Sequence, residues 1–207
     1  EEQHTGQAYA QLGELFFPGE MSLEPGEKYR SPTLYGTSTA HGFSAISESF
    51  HGYVRASLTD KRVRNKVRPV HFNTWEAVYF DLSYDRLCEL ADVAAEVGAE
   101  RFVLDDGWFK NRKSDKAGLG DWFVDNTVFE DGLGPLIDHV KAKNMEFGLW
   151  VEPEMVNPDS DLYRAHSDWV LNADPAPLIL SRNQLVLDLT RTEVQTYLFE
   201  RLDALLT

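Results

Sequence analysis

The apolar positions of this chain change period at His41. Before it, short alternating runs such as "GELFF" are punctuated by Pro and Gly in "PGEMSLEPGEKYRSPTLYG", which reads as the last strands of an all-β module that cannot form a domain alone. After it, Phe43, Ile46, Phe50, Tyr53 and Val54 recur at helical spacing and predict an amphipathic helix leading out of the β part. The basic stretch "KRVRNKVRP" follows and reads as a solvated connector, the domain boundary, rather than a phosphate patch. Three regions are expected: the β strands over 1–40, a linker helix and connector over 41–68, and a second domain over 69–207.

Beyond Pro69 the pattern repeats in units. The run "PVHF" is followed by a predicted helix in "SYDRLCELADVAAEVG", with Ser83 as N-cap, Gly98 at the C-terminus, and Leu87, Leu90, Ala94 and Val97 facing inward. "RFVL" is a second strand, leading through a loop rich in Gly, Asp and Trp to the helix "LGPLIDHVKAKN". "MEFGLWV" is a third strand, followed by the short helix "DSDLYRAH", for which Asp159 and Asp161 are the expected caps. "QLVLDL" is a fourth, after which Thr190 and Glu193 form a capping box opening a helix that runs to Thr207.

Alternation of strand, crossover helix and strand builds a parallel sheet. A doubly wound nucleotide-binding sheet needs a Gly-rich phosphate turn after its first strand, and "FNTWEAVYFD" contains no glycine. A (β/α)8 barrel instead gathers its working residues at the C-terminal ends of several strands. Those ends carry Asn73, Trp75 and Glu76, then Asp105, Asp106 and Trp108, then Trp150, Glu152 and Glu154, then Asp188. The expected fold class is therefore α/β: a (β/α)8 TIM barrel, of which this chain supplies the first four β/α units, preceded by strands of an N-terminal β-sandwich domain.

The formal charge of -14 argues against nucleic acid or an anionic membrane as partner and favours a neutral or cationic ligand. A lone cysteine, Cys88, and the absence of any N-x-[ST] site give no sign of an oxidising compartment, so a cytoplasmic protein is expected. The sequence shows neither an apolar run long enough to span a membrane nor an N-terminal export signal, although the chain starts at Glu1 without Met and a signal could have been cut away upstream.

Two adjacent carboxylates accept hydrogen bonds from vicinal hydroxyls, and an indole offers a flat apolar face to the C–H side of a sugar ring. For Asp105 and Asp106, followed by "GWF" and matched by Trp75 and Trp150 at other strand ends, a ligand site is favoured over a turn or cap. Glu152 and Glu154 leave three readings open: a catalytic pair, a divalent-metal site, or a hydrogen-bonded loop. Metal ranks low, because the histidines are scattered without HxH or HExxH spacing. Arg182, preceded by Asp174 and set before the fourth strand, is either a ligand-binding fork or an ordinary surface ion pair. Cys88 and His71 read as core residues.

"FNTWEAVYFD", "FVLDDGWF", "GLWVEPEMVNPDSDLY", "HSDWVL" and "LSRNQLVLDL", in this order and at these separations, resemble the α-galactosidases of glycoside hydrolase family 36 over nearly the whole chain. The early "LGELFFPGEMSLEPGEKYRSP" and "GFSAISESFHGYVR" resemble the end of that family's N-terminal β-supersandwich and its lead into the barrel. The resemblance implies a retaining hydrolase of terminal α-linked galactose, as in melibiose and raffinose-type oligosaccharides, working without metal or cofactor and as a homo-oligomer when full-length. Carried over by residue, Asp105 and Asp106 bind galactose hydroxyls, Trp75 and Trp150 wall the pocket, and Arg182 reaches into it.

Retention needs two carboxyl groups about 5 Å apart. The family's nucleophile stands in a "KWDxN" motif on the next strand and its acid/base comes later, so both are expected beyond Thr207 and no catalytic residue is assigned here. "HSDWV" departs from the family's usual proline after the histidine. Alternatives are a galactosyl transferase of the raffinose-synthase kind, an α-N-acetylgalactosaminidase, a non-catalytic carbohydrate-binding module, and a metal-dependent barrel enzyme.

Overall fold

In the computed structural model, residues 6, 10, 12–16, 18–172, 177, 178 and 180–206 are described; Phe17, Asp174 and Thr207, named above, lie outside them. The chain divides into two compact units, Glu1–Val67 and Arg68–Thr207.

In the first unit, helix α1 (Gly42–Tyr53) forms where the apolar spacing predicts it and continues into one wide turn over Val54–Leu58. None of its residues is buried, and Phe43 is 89% exposed. The strands expected before it are not formed among the described residues of 1–40. A strand is defined by a ladder of hydrogen bonds to a neighbouring strand, and no such ladder forms among the described residues of 1–40. They make local aromatic contacts instead, such as Phe16 edge-on to Tyr29.

The second unit is α/β. Its elements are β1 (His71–Asn73), α2 (Trp75–Val78), α3 (Tyr84–Glu96), β2 (Arg101–Leu104), α4 (Gly134–Ala142), β3 (Glu146–Leu149), β4 (Met155–Val156), α5 (Asp161–Ala165), a 3-10 turn (Ser167–Trp169), β5 (Leu185–Val186) and α6 (Thr192–Leu206). β1, β2 and β3 form a parallel sheet in that order, with Phe72 beside Phe102 and Phe102 beside Phe147. These side chains share one face, and Phe102 and Leu104 on it are fully buried with Leu87 and Ala91 of α3 and Leu136 and Val140 of α4 in the core.

Helix α3 forms as its sequence dictates: the Ser83 hydroxyl accepts from Arg86 N–H, Leu87, Ala91 and Ala94 face inward, and Gly98 at φ +89° ends it. Val97, expected inward, is 78% exposed, because it is the C-cap and has already left the helical face. His71 is exposed rather than in the core, since β1 is the sheet's edge and His71 points opposite to Phe72.

The fourth strand departs most from expectation. "QLVLDL" does not join the parallel sheet; β5 pairs antiparallel with β4, matching Met155 with Val186 and Val156 with Leu185. Leu187 N–H donates to Glu154 O and Asp188 N–H to Trp169 O, so the segment's backbone bonds go to the loop after β3 instead of to β3 itself.

Two helix starts also differ. Ser160, not Asp159 or Asp161, caps α5 by accepting from Tyr163 N–H, while Asp121 of a distant loop accepts from Asp161 and Leu162 N–H at 2.8 Å each. The two flanking acids are held by cations, Asp159 by Arg164 and Asp161 by Arg164 and Lys110, and these contacts draw the Asp161 carboxyl down to about 2. Helix α6 starts at Thr192; Thr190 donates its hydroxyl to Asp188, and Glu193 accepts from Arg191, so the expected capping box is absent.

Candidate functional site

At the C-terminal ends of β1 and β2 the backbone is tied together by Thr74, which is buried. Its N–H donates to Val103 O and its hydroxyl accepts from Asp105 N–H at 3.0 Å. Asn73 beside it works in two directions, its Oδ1 accepting from Trp75 N–H at 2.8 Å and its Nδ2 donating to Asp105 Oδ2 at 2.5 Å. The other oxygen of Asp105 accepts from Asp106 N–H at 2.8 Å. The Asp105 carboxylate is thus fixed from both sides by neutral donors and stays partly exposed, with lone pairs left for a ligand. Trp75, on the first turn of α2, is half-buried and stands edge-on to Tyr79 and Phe80 at 5.0 and 5.1 Å.

Asp106 points away from solvent. Arg112 donates to it as a fork, Nε to Oδ1 at 2.8 Å and Nη2 to Oδ2 at 2.7 Å, and both side chains are buried. The guanidinium carbon lies 5.6 Å from the centre of the Phe80 ring and 5.7 Å from that of Phe109, and Nη1 donates to Ala117 O and to Asn157 Oδ1 at 3.1 and 3.0 Å. Asn157, fully buried, also accepts from Leu119 N–H and donates to Asp115 O and Asn183 O. Every donor and acceptor position of this amide that the fold can reach is used.

Trp150 follows β3; its N–H donates to Leu104 O and its carbonyl accepts from Trp108 Nε1. Its half-buried ring lies 6.3 Å from that of Trp122 and completes an aromatic cluster with Trp108 and Phe109. Past it, Glu152 accepts from Gln184 Nε2 at 3.1 Å. Burial pushes the Glu152 carboxyl up, Arg182 opposes the shift, and Glu154 adds to it.

Arg182 and Asn183 are the two central residues of a tight turn in which Ser181 and Gln184 exchange backbone hydrogen bonds. Both have positive φ, +52° and +61°, as a type I′ hairpin turn requires. The turn leaves the Arg182 side chain exposed, close enough to Glu152 to act on its charge.

Of the predicted site residues, Trp75 and Asp105 meet through Asn73, and Asp105 adjoins Asp106. Arg182 makes no direct hydrogen bond to Asp106 among the described residues; a chain of hydrogen bonds through Asn183, Asn157 and Arg112 links them. Among aromatic pairs of the described residues, none joins Trp75 to Trp150. A cavity of about 350 Å³ opens elsewhere, between Tyr84, Phe129, Glu130 and Gly132, and none of these strand-end residues lines it. Arg112, Asn157 and Gln184 were not anticipated from sequence. Asp106 and Arg112 are only six residues apart, but nothing local marks that arginine as buried. The strand ends and the turn before β5 thus carry a partly exposed acceptor in Asp105, an exposed guanidinium in Arg182 and two partly exposed indoles in Trp75 and Trp150.

The Melibiase family matches residues 28–207. An α-galactosidase of Escherichia coli is 44% identical over 95% of this chain and 28% of its own length. Among solved structures, the GH36 α-galactosidase AgaB of Geobacillus stearothermophilus is 45% identical with a TM-score of 0.74, over 78% of this chain and 22% of that one. A variant of AgaA from the same organism, crystallised in complex with raffinose, is 42% identical with a TM-score of 0.74, over 78% of this chain and 23% of its own. The chain thus spans little more than a quarter of the length of the curated relative it matches.

Proposed function

This chain belongs to the Melibiase family, and from that premise we propose that it forms the galactose-binding first half of an α-galactosidase barrel. The observation that carries the reading is the Asp105 carboxylate, aimed by Asn73 and Asp106 N–H at the ends of two adjacent parallel strands and left with free acceptor capacity. In this reading Asp105 accepts from vicinal galactose hydroxyls, Asp106 stands behind it paired with Arg112, Trp75 and Trp150 flank the ring, and Arg182 donates from the opposite loop. A site built to bond hydroxyls rejects a sugar that leaves its carboxylate unpaired. The raffinose bound to the AgaA variant supports α-galactosides as the substrate class.

The sheet continues in this proposal into a (β/α)8 barrel, with 69–207 as its first half, 41–68 as linker and 1–40 as the end of an N-terminal β-sandwich domain. Exposed residues on the second face and edge of the sheet, His71 and Asn73 among them, support continuation, because parallel sheets are normally covered on both faces. Hydrolysis proceeds with retention, through a nucleophile and an acid/base that lie beyond Thr207. The single cysteine supports a cytoplasmic location.

The test is release of galactose from raffinose and of p-nitrophenol from its α-galactoside by the full-length protein. Wild type turns over both, the 207-residue chain alone turns over neither, and D105A loses about 100-fold or more in kcat/KM because a buried hydroxyl goes unpaired in the transition state. Full activity in D105A would refute the assignment.

A further inference from the structure

Asn157 touches none of the residues proposed to meet the sugar, yet its amide joins Arg112, the partner of buried Asp106, to the turn that carries Arg182. Its Oδ1 accepts from Arg112 Nη1 at 3.0 Å, and Arg112 grips both oxygens of Asp106. Its Nδ2 donates to Asn183 O at 2.8 Å, the carbonyl next to Arg182 in the hairpin turn. Arg182 and Asn183 are both left-handed, a conformation that costs a non-glycine residue free energy and persists only where surrounding contacts hold it. Besides the two Ser181–Gln184 backbone bonds that close the turn, two side-chain contacts hold it: Asn157 on the Asn183 carbonyl and Gln184 on Glu152. We infer that Asn157 is a positioning residue that couples the placement of Arg182 to the Arg112–Asp106 pair standing behind Asp105.

Its chemistry is specific to a carboxamide. An acceptor is required toward Arg112 and Leu119 N–H, and a donor toward Asn183 O, from one buried side chain. N157D keeps the acceptor and loses the donor, so it severs the Arg182 side of the link while keeping the Asp106 side.

The kinetic readout rests on the galactoside reading. In full-length protein, N157D lowers kcat/KM for p-nitrophenyl α-galactoside about 30-fold, and in the R182A background it lowers it about 3-fold or less, since coupled neighbours are not additive. An equal factor in both backgrounds overturns the inference; that is the result of a general structural role. Should N157D fail to fold, N157A takes its place in the same cycle, with a smaller but still unequal pair of factors expected.

Hydrogen exchange supplies a readout without substrate: N157D raises exchange at Gln184 N–H, which closes the turn onto Ser181 O, about 10-fold or more above wild type. Unchanged exchange there overturns the inference. If wild type hydrolyses no galactoside, the galactoside reading fails while exchange at the turn still decides the role of Asn157.

Discussion

Replacing Arg112 with methionine tests the buried polar layer beneath the strand ends. The side chain is 0% exposed and its partner Asp106 7%, so water does not screen the pair. Methionine fills similar volume and offers no donor. What remains is a buried carboxylate stripped of both fork bonds, together with Ala117 O and Asn157 Oδ1 each short of one donor. Removing one partner of a buried ion pair costs about 3–5 kcal/mol, and the unmatched neutral acceptors add about 1 kcal/mol. A loss of about 5 kcal/mol corresponds to a fall of roughly 10–20 °C in Tm for a cooperative unit of about 150–250 residues, and of only about 3–5 °C for a chain three to four times as long.

Thermal unfolding followed by circular dichroism at pH 7 measures it on the full-length protein. The double variant R112M/D106N separates charge from shape: with the carboxylate gone, it recovers about half the loss. A surface ion pair would be worth about 0–1 kcal/mol, so a Tm indistinguishable from wild type in R112M, or a double variant no more stable than the single, would refute the reasoning.

Asp121→Ala removes the acceptor for two backbone N–H groups at the start of α5. Leaving these buried donors unpaired costs about 2–4 kcal/mol, read as a lower Tm with faster exchange confined to Asp161 and Leu162; no change in exchange there would count against it. Glu152 gives a pH dependence. Burial raises its carboxyl above the unfolded value, so the stability it contributes is present below the unfolded pKa of about 4.3 and is lost as pH rises through the folded one. E152Q is therefore more stable than wild type at pH 7 and equal to it near pH 4, and a Tm difference independent of pH contradicts this.

Two glycines with positive φ separate conformational cost from crowding. A Cβ at Gly98 meets nothing, whereas one at Gly118 would stand 2.8 Å from Lys110 O and 3.0 Å from Arg112 N. G98A costs about 1–2 kcal/mol and G118A about 2 kcal/mol more, because backbone cannot move aside as a side chain can; equal Tm values for the two would argue that the Arg112 loop is slack.

Features fixed within a few residues of chain were legible in the sequence. The Ser83 cap, the inward Leu87 and Ala94, and the Gly98 stop all depend on local geometry, and α3 realises each. Pairing was less legible. "QLVLDL" has the composition of a buried parallel strand, and Leu185 and Leu187 are indeed buried with Val186 exposed between them, but alternation does not say which neighbour supplies the hydrogen bonds. The chain meets β4 first. At α5, Asp159 and Asp161 were the expected caps; Ser160 between them takes the place, while cations hold both acids. Although the sequence did not separate the partly exposed Trp75 and Trp150 from Trp108, which is buried in the core, the acids and indoles at the strand ends were visible as residue types. Arg112, Asn157 and Gln184 were not, because a polar side chain becomes buried only through partners from several loops, and no spacing in one segment encodes that convergence.

The strand-end acids themselves show how such a site can favour an uncharged ligand. Two adjacent carboxylates repel each other, and a rim that is acidic in a chain of charge -14 would attract cations. Here the pair is divided. Asp106 is buried and matched by a guanidinium held between two aromatic rings, so its charge is compensated internally. Asp105, above it, takes its bonds from an amide and a backbone N–H, which orient the carboxylate without neutralising it. The outward-facing group is therefore an acceptor of fixed direction, and Arg182 is an exposed cation on the Ser181–Gln184 turn. In the proposed galactose site that polarity would suit vicinal hydroxyls, which donate to one group and accept from another. It disfavours an anion, which Asp105 repels. Direction here comes from the network beneath the rim, since β1 and β2 contribute strands of only three and four residues and cannot by themselves hold side chains at their ends.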